Sequence, residues 1–462
     1  MFPFTTIKSA GLAHQSYLLG SDGVAAVIDP RRDCRVYQEI AQREGCRITH
    51  IFETHRNEDY LIGSRDLARL TGATIYHGSQ LPFTYGLGVD DGDCFPLGGL
   101  RLRVLHTPGH TLEHIAISVA EGGDRTSPFA VFTGDALFVN DVGRTDLLRD
   151  KELAAAMLYD SLFEKLLPLG DEVMVYSAHG AGSACGLHMS EREVSTIGYE
   201  RRHNPALQRA TREEFVRAKL AEKQEYPPYF ERMEEYNLHG APALAALPSP
   251  CPAQPATVAQ AIKDEMVVVI DVRRPEAYGG AHIPGSLSIP REMLARFAGW
   301  FVPYDHALGL IVDDTAQVEQ AVRDLVRIGY DRVEMFLDMR SWATAGLPYA
   351  ATEQIDIETL LAWQQRKEDF TLLDVRSEHE YQAGHLPDAV HIYVGDLPNR
   401  LYELTGRADR PIVTFCSTGY RANIAASLLQ QAQFAHVYNS LGSMEACQAI
   451  SCPIEREEQT DT

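Results

Sequence analysis

Short apolar runs recur along the chain, and most stop where residues able to do chemistry begin. ITHIFETH, RLRVLHTPGH, PFAVFTGDALF and EVMVYSAHG stand in the first half, and MVVVIDVR, FTLLDVR and PIVTF in the second. Bounded by polar or turn residues and too short for buried helices, they predict buried strands. Strand ends hand over to loops, so side chains far apart in sequence can converge on one point there. A charged stretch, RRHNPALQRATREEFVRAKLAEKQ followed by YPPYFERMEEYNLHGAPAL, predicts helices that complete the first half. The Pro-rich LPSPCPAQPA reads as a linker, GLPYAATEQ as a second break, and EREEQTDT as a frayed acidic tail.

At about 150 residues per domain, 462 residues predict three α/β domains, spanning residues 1–245, 253–350 and 353–456. A formal net charge of −22 disfavours nucleic acid and anionic membranes. No apolar stretch reaches the roughly 18 residues of a membrane span, and MFPFTTIKSAGLAHQSYLLG lacks a basic region before a long apolar core. The expected location is the cytoplasm, and the expected state a homo-oligomer. The eight cysteines show no zinc-type pairing and are expected to be reduced. Cys34, Cys46, Cys94, Cys251, Cys447 and Cys452 read as packing residues or bystanders, with Cys185 the one to watch because His179 is near.

The segment Thr54-His55-Arg56-Asn57-Glu58-Asp59-Tyr60 resembles the His-x-His-x-Asp-His loop of the metallo-β-lactamase superfamily, with Asn57 and Tyr60 where two histidines would stand. His110 in HTPGHTLEH, Asp135 in FTGDALF and His179 in YSAHGAGSACG match that family's remaining ligand motifs in order. The resemblance implies an αββα sandwich with its metal at the sheet edge. It also implies that Asn57 and Tyr60 each remove a ligand, so that neither site of a zinc pair is complete.

His55, His110 and Asp135 survive. Two imidazoles and a carboxylate with open positions are the facial triad of mononuclear iron(II) oxygenases, and the resemblance sharpens to the persulfide dioxygenase branch, whose GRTD signature stands at Gly143–Asp146. This implies one Fe(II) per chain. Asp59, Tyr60 and His179, with Asn57, are then either partners that orient the ligands or leftovers of ancestry. Arg144 either holds the anionic end of a thiol carrier or forms a surface ion pair.

An internal repeat organises the second half. Asp271-Val272-Arg273 with Tyr278, His282 and Pro284 recurs as Asp374-Val375-Arg376 with Tyr381, His385 and Pro387, at an offset of 374 − 271 = 103. Two tandem domains of one α/β fold follow, and the pattern resembles the rhodaneses, a sulfurtransferase family. Their loop, a strand then Cys-x-x-x-x-Arg, stands as PIVTF and Cys416–Arg421. Backbone N–H groups of such a loop point at the sulfur while Arg421 adds positive charge, so sulfane sulfur is carried as a Cys416 persulfide. The same offset places Asp313 and Val318 opposite Cys416 and Arg421, which makes the first repeat inactive.

The expected activity is iron-dependent oxidation of a small-thiol persulfide (glutathione or coenzyme A persulfide) by dioxygen to sulfite and thiol, coupled to rhodanese transfer between persulfide, sulfite and thiosulfate. Two alternatives stay open at this point. One is a zinc thioester hydrolase of the glyoxalase II kind fused to a rhodanese; the other is a sulfur carrier whose first domain is a non-catalytic scaffold.

Overall fold

Alternation along the first strands sets the layer order. Tyr17 and Leu19 point into one buried cluster and Leu18 into another; Ala26 and Ile28 divide from Ala25 and Val27 in the same way. A strand buried on both faces needs a layer on each side. In this computed structural model, which describes residues 2–122, 127–209, 211–265 and 267–456, those layers are a second sheet and a pair of helices. The acidic tail expected at the C-terminus lies, from Glu457 on, outside the described residues.

The chain divides into two compact units, Met1–Leu247 with Val326–Gly329, and Pro248–Leu325 with Tyr330–Thr462. In the first, β1 (Phe4–Ser9), β2 (His14–Ser21), β3 (Val24–Ile28), β4 (Arg47–Phe52), β5 (Thr74–Gly78) and β6 (Leu87–Val89) form one six-stranded sheet in chain order. A second is built from β7 (Cys94–Leu97), β8 (Leu100–His106), β9 (Ile115–Glu121), β10 (Ala130–Gly134), β11 (Met174–Ser177) and β12 (Ser195–Thr196), again neighbour to neighbour. Tyr17, Leu19, Ile28 and Phe52 of one sheet pack on Leu102, Val104, Ile117 and Phe132 of the other. Outside, Tyr37, Ile40 and Leu67 of two helices cover the first sheet, and Leu158 of helix Lys151–Asp160 covers the second. This is the expected αββα sandwich. The charged stretch forms helices Ile197–His203, Arg212–Ala221 and Phe230–His239, the second started by a capping box between Thr211 and Glu214.

The second unit holds two five-stranded sheets, one per repeat. The first runs β13-β17-β16-β14-β15, from β13 (Cys251–Pro252), β14 (Val267–Asp271), β15 (Leu287–Ser288), β16 (Ala307–Val312) and β17 (Val333–Asp338). The second runs β18-β22-β21-β19-β20, from β18 (Glu353–Ile355), β19 (Thr371–Asp374), β20 (Val390–His391), β21 (Ile412–Phe415) and β22 (Val437–Ser440). All these pairings are parallel. The Pro-rich linker is therefore not wholly a linker, since Cys251 and Pro252 pair with β17. The residues that recur between the two copies are scaffold. Arg273 and Arg376 fold back bidentately on Asp271 and Asp374, and Tyr278 and Tyr381 stack on His282 and His385 at 3.8 and 3.9 Å.

Candidate metal centre and sulfur-transfer loop

Four loops at strand ends bring the first group of residues together. His55 follows β4, His110 follows β8, Asp135 follows β10 and His179 follows β11. Asp135 Oδ2 lies 3.8 Å from His55 Nε2 and 3.6 Å from His110 Nε2, and all three side chains are buried. Neither Nε2 has a hydrogen-bond partner. Their other ring nitrogens are held: His55 Nδ1 by Thr54 Oγ1 at 2.9 Å, itself donating to Asp29 at 2.8 Å, and His110 Nδ1 by the Arg144 carbonyl at 3.1 Å. Imidazoles fixed at Nδ1 and bare at Nε2 are the arrangement a metal requires. The group fits a metal also by its remaining orphans, since Glu58 Oε2, Asn57 Oδ1, Asp59 Oδ1 and Tyr60 Oη are buried without hydrogen bonds, and buried polar atoms are ordinarily satisfied.

Charge is distributed unevenly among these donors. Burial pushes the His55 imidazole down to about 4. Burial works against charge on His110 too, but Glu58 and Asp135 outweigh it and lift that ring to about 9. Asp135 is driven well below the carboxylate range despite its burial, chiefly by His179, which donates at 2.8 Å and is raised in return. His179 Nε2 meets Asp59 Oδ2 at 3.1 Å. Asp59 and His179 thus form a chain behind Asp135. Tyr60 lies against the His14 ring at 4.1 Å, and Asn57 turns its amide back on the His55 carbonyl at 3.2 Å.

Arg144 corrects both readings offered for it. Its guanidinium is buried, donates bidentately to Asp146 at 2.7 and 2.8 Å, and caps the carbonyls of Ala184 and Glu225. It is neither on the surface nor open to a carrier's carboxylate. The GRTD signature is an internal clasp that places the Arg144 carbonyl on His110.

Sequence reasoning missed several residues here. Glu58 sits between two motif positions, yet its Oε2 is 3.4 Å from His110 Nε2 and 3.9 Å from His55 Nε2. His114 accepts the Asp135 N–H at 3.0 Å and bonds Thr107 at 2.8 Å. Its approach depends on Gly134 (φ +51°), where a Cβ would come within 2.5 Å of His114 Nε2. Asn237, from helix Phe230–His239, donates to the carbonyls of Asn57 and Tyr60 at 2.7 Å and accepts from Ile62 N–H at 3.0 Å. HTPGHTLEH offered a signal for His114; nothing near Asn237 did.

In the second repeat, Cys416 leaves β21 and helix Tyr420–Gln431 begins four residues later. Its thiol is buried, and Sγ accepts the Gly419 N–H at 3.1 Å, Gly419 being left-handed at φ +100°. Ser443 Oγ accepts the Cys416 N–H at 3.1 Å, and Met444 N–H donates to the Cys416 carbonyl at 3.1 Å. Arg421 stands at the loop's end but is not a bare cation. It donates to Glu380 at 2.6 and 2.7 Å and to Ser417 Oγ at 2.7 Å, and Ser417 donates to Glu380 at 2.9 Å. Glu380, also missed, is drawn down by Arg421 against its burial.

Strand register corrects the match to the first repeat. Asp374 pairs with Phe415, whereas Asp271 pairs with Ile311. Helices Ala316–Arg327 and Tyr420–Gln431 start 420 − 316 = 104 residues apart. Val312 and Gln317, rather than Asp313 and Val318, stand opposite Cys416 and Arg421, because the second repeat carries one more residue ahead of its loop. The first copy still lacks nucleophile and cation. It supports its twin instead: Ser288 of β15 accepts from Asn423 at 2.5 Å and donates its N–H to Ser427 at 3.1 Å, both on the helix after the active loop. Cys447 and Cys452 are likewise not bystanders, being joined as a disulfide that ties helix Ser443–Ala449 to the segment after it.

Among the described residues no helix is long and apolar enough to cross a membrane. The sequence profile of the Metallo-beta-lactamase superfamily matches residues 10–179, and that of the Rhodanese-like domain matches 254–338 and 356–450. A hydroxyacylglutathione hydrolase of Rhodopseudomonas palustris is 32% identical over 211 residues, 44% of this chain and 72% of that protein; two others are matched over 57% of their length. Of solved structures, a metallo-beta-lactamase from Staphylococcus aureus superposes with TM-score 0.65 at 31% identity, covering 73% of this chain and 98% of its own. ETHE1 from Myxococcus xanthus gives 0.45 at 31% identity, covering 51% and 97%. The chain belongs to the metallo-beta-lactamase superfamily, with two rhodanese-like domains following in the same polypeptide.

Proposed function

We propose that the protein oxidises the outer sulfur of a low-molecular-weight thiol persulfide and transfers sulfane sulfur through Cys416. The observation that carries the first half is the donor set: His55 Nε2, His110 Nε2 and Asp135 converge, buried and without hydrogen bonds to the imidazoles, while Asn57 and Tyr60 replace two histidines of the dinuclear pattern. That set suits one iron(II) better than paired zinc. Iron(II) held there supplies the redox chemistry with dioxygen that no side chain of this chain provides. The reaction balances as RSSH + O2 + H2O giving RSH, sulfite and two protons; the sulfane sulfur loses four electrons and dioxygen gains them. Asp135, oriented by His179 and by the His114 contact to its N–H, keeps its carboxylate ionised toward the cluster. Burial of the whole group excludes bulk water from it.

Cys416 performs the second half. Its thiolate attacks the outer sulfur of thiosulfate, the S–S bond breaks, sulfite leaves, and the Cys416 persulfide passes its sulfur to an acceptor thiolate. Run in reverse, sulfite collects the sulfur as thiosulfate. Thioester hydrolysis is the competing reading, favoured by the identity to hydroxyacylglutathione hydrolases and by Asp59, Asp135 and His179, which remain where a second metal would bind.

Metal analysis of anaerobically purified protein, paired with oxygen uptake on glutathione persulfide, separates them. One iron per chain and uptake lost in His110→Ala are expected. Two zincs, with thioester hydrolysis proceeding without oxygen, would replace this reading by the other.

A further inference from the structure

We infer that Glu58 is a fourth protein ligand of the metal centre, so that the site is built from two imidazoles and two carboxylates. This rests on the proposal that the His55–His110–Asp135 cluster holds a metal. Position 58 falls at an unassigned letter of the ligand motif, and three observations on this chain raise it out of the background.

The first is distance. Glu58 Oε2 lies 3.4 Å from His110 Nε2 and 3.9 Å from His55 Nε2, matching the 3.6 and 3.8 Å from those same nitrogens to Asp135 Oδ2. Donor atoms that share a cation at about 2.0–2.2 Å lie roughly 3–4 Å from one another, and both carboxylates stand in that range from both imidazoles. The second is satisfaction. Glu58 is fully buried, Oε2 makes no hydrogen bond, and what faces it is the pair of imidazoles; a carboxylate is retained in such a place where positive charge shares the site. The third is orientation. Cys185 donates its thiol to Glu58 Oε1 at 3.3 Å, which holds one oxygen away from the cluster and leaves the other facing it. Ligating carboxylates are characteristically hydrogen-bonded from outside in this way. Asn57, beside it, turns its amide onto the His55 carbonyl; Glu58 is the side chain of that loop that faces both imidazoles. The chain has thus lost a neutral nitrogen donor and gained an anionic oxygen one, a harder set that favours iron(II) or manganese(II) over zinc.

The test uses full-length protein stripped of metal under argon and titrated with cobalt(II), whose visible absorption reports its donors, and then with iron(II). Wild type is expected to take up one cobalt(II) per chain. Glu58→Gln, which keeps the shape and removes the anionic donor, should weaken binding by more than about 100-fold and shift the absorption bands. Cys185→Ala, which removes only the orienting thiol, should cost roughly 10- to 100-fold and keep the bands. Should Glu58→Gln fail to fold, Glu58→Asp, which withdraws the carboxylate by one methylene, is expected to show the same loss. Wild-type affinity and bands in Glu58→Gln would overturn the assignment of Glu58. Wild-type binding in His110→Ala would instead overturn the metal reading beneath it.

Discussion

The two centres solve opposite problems with polar atoms. Around His55, His110 and Asp135 the fold leaves buried donors and acceptors unmet: His55 Nε2, His110 Nε2, Glu58 Oε2, Asn57 Oδ1 and Tyr60 Oη. Each such atom costs about 1–3 kcal/mol in a folded protein, and a cluster of them is what a bound metal would complete. Around Cys416 the loop's own polar atoms are met, and the buried orphans nearby, Asn423 Oδ1, the Asn439 amide and Ser440 Oγ, lie on the following helix and the neighbouring strand. Sγ has the Gly419 N–H, the backbone is pinned by Ser443 and Met444, and Arg421, Glu380 and Ser417 close a ring of mutual bonds. On the proposed reading one centre needs a cofactor, whereas the other carries its reagent in the chain.

That difference predicts a double dissociation, the largest effect expected. Cys416→Ser should abolish thiosulfate:cyanide sulfurtransferase activity, a loss of at least about a thousand-fold since the covalent carrier is gone, while iron content and oxygen uptake stay at wild-type level. His110→Ala should do the reverse. Peptide mass spectrometry after thiosulfate treatment should find the added sulfur on Cys416; finding it on another cysteine, or coupled loss of both activities in either variant, would break the comparison.

Tyr60 probes the boundary of the unmet cluster at the next level of magnitude. Its hydroxyl is buried and unbonded and its ring lies on His14. Tyr60→Phe is expected to keep iron and to lower dioxygenase turnover or iron affinity by roughly 10- to 100-fold, as loss of an orienting partner does. Iron absent from the variant would make Tyr60 a ligand. Unchanged iron and turnover would leave it a packing residue.

A smaller effect tests the closed ring. Glu380 cancels the charge that Arg421 would otherwise present to an anionic donor, so Glu380→Gln should lower the KM for thiosulfate. One unit charge at about 8 Å in an effective permittivity near 40 is worth on the order of 1 kcal/mol, or about five-fold. The gain should shrink as salt is added. A raised KM independent of salt would mean that Glu380 serves to hold the loop rather than to tune its charge.

Strand ends and the repeat were legible because they rest on local patterns: an apolar run followed by a ligand, and DVR with Tyr and His at fixed spacing. What was illegible depends on the third dimension. Glu58 reads as a solvated charge between Asn57 and Asp59, and only the fold aims it at His110. Asn237 reaches Asn57 from a helix 180 residues away. Arg144 was misjudged because its partner, Asp146, lies two residues on and could as well have been exposed. The loop match slipped by one, since a constant offset taken from DVR cannot register an insertion between that motif and the next strand.

The register sets the last prediction, where no gain is expected. Val312 is the last residue of β16 and Cys416 the first beyond β21, and strand register sets the two opposite each other, so Val312→Cys places a thiol at the corresponding strand end of the first repeat. The scaffold around it is already that of the active copy, with the Asp271–Arg273 clamp and the Tyr278–His282 stack in place. What it lacks is the loop: Thr315 stands for the left-handed Gly419, Gln317 for Arg421, and Ala277 for Glu380. Without an inward N–H and a held cation the new thiol gains no help toward thiolate. In a Cys416→Ser background, Val312→Cys should therefore show neither cyanide-dependent sulfur transfer nor a sulfur adduct at position 312, and Asp313→Cys should behave alike. Activity restored by Val312→Cys alone would show that the shared scaffold, rather than the closed ring of loop contacts, makes the sulfur chemistry.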